Sequence, residues 1–405
     1  MIRPVLLIGV AISASSLLAS CSEAGRRAEP EDLRETLTLM LQHWDAPGAV
    51  VAVIDDGAIV FIEGFGSTMA TGGVPVTPTT LAPVQSVSKS VTAVALSMLV
   101  DDGAIGWDDP IKRHLPEFEF GGSYLTEHIT IRDLMTHRSG LPFLLGGWDP
   151  SAYDMTDVMR DLRSEEPAIE LRTGVYYSQV GMALLGEIIE RVSGETWSEF
   201  VQHRILDPLH MDSSYPDDLR LITAVGEPES LVDLMKTVGR SDGLLQDPPW
   251  ERYNELWWPA AALITTAEDM TKYMRFLLSD GSVDGQVVLS AELISEMFSP
   301  TAIPGVGAIA PLEPILAPRT EVFAYGLGWM LHEEFGRLIA EHTGGGRSSA
   351  TVALMPQEKL GVFVVTNAAY GYDSARLVSA LKFAAFEHFL GLPESDWIRV
   401  LGQED

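Results

Sequence analysis

The sequence predicts an α/β (α+β) fold in which an antiparallel sheet, formed by both ends of the chain, is flanked by helices and encloses a mostly helical inserted domain. Three observations lead to this prediction. Two β-rich runs lie near the start, several more lie near the end, and the residues between them mostly have the apolar spacing of helices. With 405 residues, 46% of them hydrophobic, the chain can build two lobes around a sizeable core.

The first 30 residues differ in composition from the rest of the chain. Residues 1–20 carry one charge, at Arg3, and an apolar stretch too short to span a bilayer comfortably, so they are interpreted as a signal peptide. They end in Leu-Ala-Ser before Cys21, which resembles a bacterial lipobox, where lipid is attached to the cysteine. We therefore expect an exported bacterial protein of the cell envelope, on the periplasmic face or outer membrane, anchored through Cys21 by a tether at 21–30. The alternative is a secreted protein without lipid.

Residues 31–390 are expected to form the folded domain, followed by a C-terminal tail at 391–405. Its sheet lobe takes in about 31–83 and 322–390, and its helical lobe about 84–321. In the sheet lobe, Asp55-Asp56-Gly57 is typical of a hairpin turn between two strands. The elements predicted there are a helix at 31–44, strands at 48–54, 58–65, 325–331, 338–342, 350–355 and 360–366, and a closing helix at 373–390.

The helical lobe shows clear start and stop signals. Thr130 and Thr196 each begin a capping-box pattern, and Ser178 precedes a helical run that Gly194 can close. A further helix is predicted at 266–278. Two irregular stretches, 216–258 and 300–320, are predicted to be long loops, which often shape the choice of substrate.

The charge balance excludes some classes of partner. The chain has 27 basic and 57 acidic residues, a formal net charge of −30, which argues against binding nucleic acid or anionic lipid by electrostatic attraction. One cysteine excludes an internal disulfide, and the histidines do not fall at metal-ligand spacings. No metal and no cofactor are expected.

Ser86 and Lys89 form the first candidate for chemistry. They stand at the start of an apolar helical run, and residues three apart share one face of a helix, so the amine would lie beside the hydroxyl. A serine hydroxyl needs such a neighbour to accept its proton, and a lysine with a lowered pKa can do so. Ser-x-x-Lys alone is a very common string, and by itself it favours a helix-capping serine and a solvated lysine.

Two further candidates follow in the chain, Tyr177 just before a helix and His342 before a run of glycines. With Ser86 and Lys89 they make the chain resemble the serine β-lactamase-like family, which includes class C β-lactamases, D,D-peptidases and family VIII-type esterases. That family carries Ser-x-x-Lys, Tyr-x-Asn and Lys/His-x-Gly in this order. The resemblance covers about residues 31–390, with further matching segments at 134–142, 207–211, 259–269, 325–329 and 364–367.

The resemblance implies a role for each candidate. Ser86 would attack a carbonyl carbon, Lys89 would accept its proton or lower the pKa of Tyr177, and Tyr177 would pass a proton to the leaving group. A protonated His342 is a second cation that could hold the phenol partly ionised. The resemblance also implies an oxyanion hole formed by the backbone N–H groups of Ser86 and Gly345, and substrate contacts by Gln179, Thr343 and Gly344.

Two departures from the family pattern concern the substrate. Gln179 stands where the second motif usually has asparagine. Its amide either lies in a different position or does the work of the asparagine amide. His342 stands where penicillin-binding members often have lysine, and a mostly neutral imidazole is a weaker partner for a substrate carboxylate.

Three functions are compatible with these residues. The expected one is a serine hydrolase that cleaves small carboxylic esters or related amides through a Ser86 acyl-enzyme. The first alternative is a D,D-carboxypeptidase or β-lactamase that acts on cell-wall peptides or penicillins. The second is a non-catalytic envelope protein whose site has drifted at Gln179.

Overall fold

A seven-stranded antiparallel sheet joins the two ends of the chain in the computed structural model. The strand order is β2-β1-β13-β12-β11-β10-β9, so the first hairpin pairs directly with the last strand. The predicted fold class is therefore confirmed. The strands of this sheet are β1 Gly48–Asp55, β2 Ala58–Gly66, β9 Phe323–Tyr325, β10 Met330–Glu334, β11 Arg337–Gly345, β12 Ser349–Met355 and β13 Leu360–Thr366.

Three antiparallel two-stranded pairs lie outside the main sheet among the residues that the structure describes. They are β3 Ala82–Pro83 with β6 Ile264–Thr265, β4 Gly239–Ser241 with β5 Leu244–Gln246, and β7 Ser282–Val283 with β8 Gln286–Val287. The first pair matters for function, because β3 leads directly into the turn that carries Ser86.

Fourteen α-helices are found in the part of the chain that the structure describes, which comprises residues 30–145, 153–241, 244–304, 318–319, 323–368 and 372–402. Among these helices none is long and apolar enough to cross a bilayer. The predicted signal peptide, Cys21 and most of the 300–320 segment lie outside the described residues. The helices are α1 Pro30–His43, α2 Ser88–Asp101, α3 Ile111–His114, α4 Gly122–His128, α5 Ile131–Met135, α6 Met155–Leu162, α7 Gln179–Ser193, α8 Trp197–Val201, α9 Asp218–Val225, α10 Trp258–Ala261, α11 Ala267–Leu278, α12 Ala291–Met297, α13 Tyr372–Leu390 and α14 Trp397–Leu401.

The main sheet separates two hydrophobic cores. Side chains alternate along a strand, so in β1 Val50 and Ile54 face one core while Val51 and Val53 face the other. The first core extends into the helical lobe around α2, in which every residue from 88 to 99 is buried. The second core is closed by α1 and α13. Helix α2 is thus held in the centre of the molecule, where it can position Ser86.

The structure corrects three of the predicted elements. The strand predicted at 325–331 is broken into β9 and β10, because Gly328 turns with φ +78° where its missing Cβ would lie 2.7 Å from Ala93 of α2. The loop predicted at 216–258 contains α9 and the β4–β5 pair. The predicted tail contains α14, whose Trp397 is fully buried against the second core.

Candidate active site

Ser86 lies in a tight turn between β3 and α2. Gln85 turns the chain with φ +53°, residues Gln85–Val87 form one turn of 3-10 helix, and α2 follows at Ser88. The Ser88 hydroxyl holds this turn, since it donates to the Gln85 carbonyl at 2.7 Å and accepts from the Leu263 N–H at 3.1 Å. Ser86 itself stays partly exposed, which its predicted role as a nucleophile requires.

Lys89 is fully buried beneath Ser86. Its Nζ lies 3.0 Å from Ser86 Oγ and 2.9 Å from the Ala260 carbonyl oxygen of α10. Burial lowers the pKa of Lys89 well below its usual value. The predicted adjacency of amine and hydroxyl is present, and the alternative of a solvated lysine is wrong because the side chain has no exposed surface.

The ring of Tyr177 packs against the amine of Lys89. Its ring centroid lies 4.8 Å from Lys89 Nζ, and it precedes α7, whose N-cap Ser178 accepts from the Gly181 N–H and donates to the Pro142 carbonyl. These two bonds fix the turn and hold the phenol over the amine.

His137 is a neighbour of Tyr177 that the sequence indicates only as part of a family segment. Its ring lies 4.4 Å from the Tyr177 ring, and its Nδ1 accepts from the Ser178 N–H at 3.3 Å. Nδ1 is therefore unprotonated, and the pKa of His137 is held well below its usual range by burial, with a smaller effect from Lys89. His137 is an uncharged support that packs behind the phenol.

His342 is also uncharged. Its Nδ1 donates to the Thr343 carbonyl at 2.8 Å, so Nε2 accepts from the Tyr325 hydroxyl at 3.1 Å. Burial and, to a lesser degree, Lys89 lower the pKa of His342 to about 3. The expectation of a protonated His342 beside Tyr177 is therefore wrong for this structure, although the two rings do lie 6.4 Å apart.

Strand β11 brings its glycines against the Ser86 turn. A Cβ on Gly344 would lie 2.2 Å from the Val84 carbonyl oxygen and 2.9 Å from the Ser86 nitrogen, so only glycine fits there. Gly345 is the last residue of β11 and pairs with Ser349. This close approach brings the strand that carries Gly345 next to the Ser86 backbone; their shared role as an oxyanion hole stays a prediction.

Gln179 and Thr343 are close in the chain to Tyr177 and His342, respectively. Gln179 is the first residue of α7, and its N–H donates to the Phe143 carbonyl at 3.0 Å. Its side-chain Oε1 is buried and has no hydrogen-bond partner among the described residues. Thr343 orients His342 through its carbonyl. The substrate contacts predicted for both residues and for Gly344 stay predictions.

Lys89 can take a proton from Ser86 only while it is uncharged, and its burial favours that form, so the pair has the arrangement expected of an activated serine nucleophile. The chain belongs to the Beta-lactamase family, whose model matches residues 36–385. The family resemblance predicted from the motifs is confirmed.

Named relatives come from fungi and bacteria. The chain is 28% identical over 373 residues to an unguisins hydrolase of Aspergillus violaceofuscus, covering 88% of this chain and 64% of that protein. It is 26% identical over 319 residues to penicillin-binding protein 4* of Bacillus subtilis, covering 76% of this chain and 64% of that one. The chain thus spans a little under two thirds of the length of these relatives.

Two solved structures share the fold. An octameric penicillin-binding protein homologue from Pyrococcus abyssi has a TM-score of 0.69 at 23% identity, over 92% of this chain and 79% of that one. A class C beta-lactamase from Rhodobacter sphaeroides has a TM-score of 0.69 at 20% identity, over 88% of this chain and 99% of that one. At these identities the likeness concerns the fold alone.

Proposed function

We propose that the protein hydrolyses small carboxylic esters or related amides through an acyl-enzyme on Ser86. One observation carries this proposal: the fully buried Lys89 Nζ, with its lowered pKa, lies 3.0 Å from Ser86 Oγ. A neutral amine at hydrogen-bond distance from a hydroxyl can accept its proton as the oxygen attacks.

The chemistry then runs in two steps. In the first, Ser86 Oγ attacks the carbonyl carbon while its proton passes to Lys89, and collapse of the tetrahedral intermediate releases an alcohol that takes up a proton by way of Tyr177. In the second, water attacks the acyl-enzyme, releases the carboxylic acid and restores the Ser86 hydroxyl. Backbone N–H groups of Ser86 and Gly345 would stabilise both oxyanions.

The neutral imidazole of His342 favours esters over substrates that carry a carboxylate. Its pKa of about 3 leaves it without the positive charge that a lysine would supply at this position of the motif. An uncharged ester or amide does not need that charge, whereas a penicillin or a D-alanyl peptide carries a carboxylate that would lack this partner.

A second candidate is a D,D-carboxypeptidase or β-lactamase activity on cell-wall peptides or penicillins. The likeness to penicillin-binding protein 4* of Bacillus subtilis favours it. Nitrocefin hydrolysis, together with mass spectrometry after exposure to penicillin, separates the two candidates. A stable penicilloyl adduct or nitrocefin turnover would favour this second candidate, and the absence of both would exclude it.

The test of the main proposal is p-nitrophenyl acetate turnover by wild type and Ser86→Ala. We expect Ser86→Ala to lose at least about a thousandfold in kcat, because no other group would form the acyl-enzyme. The exposed Ser123 offers a matched control, and Ser123→Ala should keep the wild-type rate. Equal rates for wild type and Ser86→Ala would favour a non-catalytic envelope protein instead.

A further inference from the structure

Arg347 is a buried cation in the turn between β11 and β12, three residues beyond Gly344. Its side chain is 7% exposed, and its Nη1 lies 2.9 Å from Oδ1 of Asp218, which is 1% exposed. The same nitrogen donates to the Glu251 carbonyl at 3.1 Å. A buried ion pair of this kind fixes geometry, because separating its partners would leave an unpaired charge in the interior.

The aromatic partners of Arg347 come from the segment that precedes α10. Its guanidinium lies 4.2 Å from the ring centroid of Trp250 and 4.3 Å from that of Tyr253. Trp250 Nε1 and the Tyr253 N–H each donate to an oxygen of Asp218, at 2.9 and 3.1 Å. The rings of Trp250 and Tyr253, the carboxylate of Asp218 and the guanidinium of Arg347 therefore form one connected cluster.

Tyr253 links this cluster to the residue before the nucleophile. Its hydroxyl donates to Gln85 Oε1 at 2.7 Å, and burial raises the pKa of Tyr253, so the phenol keeps its proton. Gln85 has φ +53°, a sparsely populated conformation for a residue with a side chain. A Cβ on Gly346 would lie 2.7 Å from the same Gln85 Oε1, so the amide also lies against the end of β11.

We propose that Arg347, Tyr253 and Gln85 are positioning residues that hold the backbone N–H groups of Ser86 and Gly345 at a fixed separation. The inference rests on the proposed function of these two groups as the oxyanion hole. Gln85 is covalently joined to Ser86, and Arg347 lies two residues beyond Gly345. Tyr253 contacts both Gln85 and Arg347, so the three residues connect the backbone of one donor to that of the other. Because the oxyanion is stabilised only by donors at the right distance, a small displacement of either one slows acylation.

The variant Tyr253→Phe tests this inference, because it removes the hydroxyl that donates to Gln85 and keeps the ring against Arg347. With p-nitrophenyl acetate we expect kcat to fall by about tenfold while KM changes by less than about twofold, since the donors act in the transition state. The matched control is Tyr273→Phe, which removes a buried hydroxyl that donates to Ser90 on α2 at 3.2 Å. Tyr273→Phe should lose about as much thermal stability as Tyr253→Phe does, and it should keep the wild-type kcat.

A double-variant cycle separates positioning from a general loss of stability. Gln85→Met removes the acceptor, so adding Tyr253→Phe to it should lower kcat by less than about twofold more. Additive effects, or an unchanged kcat in Tyr253→Phe while Ser86→Ala is inactive, would overturn the inference and leave the proposed function standing. Equal turnover by wild type and Ser86→Ala would instead overturn the proposed function.

Discussion

Burial sets the charge of the ionisable side chains around Ser86. Lys89, His137 and His342 are each fully buried, and for each of them burial is the largest cause of a lowered pKa. Both imidazoles are therefore neutral at neutral pH. His137 has one ring nitrogen bonded to a backbone N–H, and His342 has both ring nitrogens bonded, one to a backbone carbonyl and one to a hydroxyl. We therefore assign the acceptance of the Ser86 proton to Lys89 under the proposed function, and a supporting role to the two histidines.

This assignment predicts the pH dependence of the reaction. A protonated Lys89 cannot accept the Ser86 proton, so kcat/KM should fall as the pH decreases through the pKa of Lys89. His342→Gln should leave the midpoint of this acidic limb in place, because the imidazole, with a pKa of about 3, does not titrate in that range. Lys89→Arg, which cannot deprotonate, should lose at least about a hundredfold in kcat.

The measurement is kcat/KM for p-nitrophenyl acetate between about pH 5 and 9, with wild type and both variants. A shift of the acidic limb by more than about one pH unit in His342→Gln would show that the imidazole titrates and would contradict the assignment. Activity of Lys89→Arg near the wild-type level would contradict Lys89 as the proton acceptor.

At the scale of elements, β11 carries polar groups on both faces of the sheet. His342 faces the site, whereas the preceding Glu341 faces α13. Glu341 lies 2.5 Å from Lys382 Nζ of α13 and 3.3 Å from His332 Nε2 of β10, all fully or almost fully buried. Burial alone would raise the pKa of Glu341, but Lys382 and His332 outweigh it and lower that pKa to about 2. The ion pair ties the site strand to the helix behind it.

Removing one partner of this pair should be costly. We expect Lys382→Met to lower the free energy of unfolding by about 3–5 kcal/mol, because Glu341 is left charged and buried. The double variant Lys382→Met/Glu341→Gln should recover most of that loss. Urea unfolding followed by circular dichroism measures both, and a loss below about 1 kcal/mol in the single variant would contradict the prediction.

The ion pair of Glu341 and Lys382 also predicts how the stability of the protein depends on pH. The folded-state pKa of Glu341, about 2, lies below its ordinary value of 4.5, so its stabilising contribution is present above that ordinary value. It is lost as the pH falls towards 2, and wild type should lose more stability over that range than the double variant does.

At the scale of the whole molecule, the site lies where the two lobes meet. Ser86 and Lys89 come from the start of α2, Tyr177 from the turn before α7, and His342 from β11 of the sheet. The sheet can contribute β11 only because the chain returns to pair β13 with β1. The domain extends to α14, because Trp397 packs on Phe383 at 4.7 Å and donates to Glu387 at 2.7 Å.

We propose that the whole chain is exported and anchored to a membrane of the cell envelope by lipid on Cys21. The prediction is that full-length protein expressed in a Gram-negative host sediments with membranes and incorporates labelled palmitate, whereas Cys21→Ala does neither. Ala24→Ser, three residues on, is the matched control and should behave as wild type. Recovery of unlabelled wild type in the soluble fraction would favour a secreted protein without lipid.

Local signals predicted much of this molecule. Spacing of three residues predicts that Lys89 lies beside Ser86, the Asp-Gly turn predicts the first hairpin, and capping residues predict α5, α7 and α8. Each of these depends on residues close together in the chain. The break at Gly328 was not predictable in this way, because its cause is contact with α2, more than two hundred residues away.

Local sequence signals did not predict the residues that support the site either. Gln85, Tyr253 and Arg347 belong to no recognisable motif, and they become related only when β11, the segment before α10 and the Ser86 turn are packed together. Tyr325 stood in a matched family segment, yet its bond to His342 depends on the pairing of β9 with β10 and of β10 with β11.

By itself the sequence determined the fold class, the family and the candidate residues, because these follow from periodicity, turns and the order of motifs. Only the tertiary structure decided their charge. The sequence identifies a lysine or a histidine, but the pKa of that side chain depends on how completely distant segments of the chain exclude water from it. The Ala260 carbonyl reaches Lys89 from 171 residues along the chain, and burial lowers the pKa of Lys89 and keeps His342 neutral.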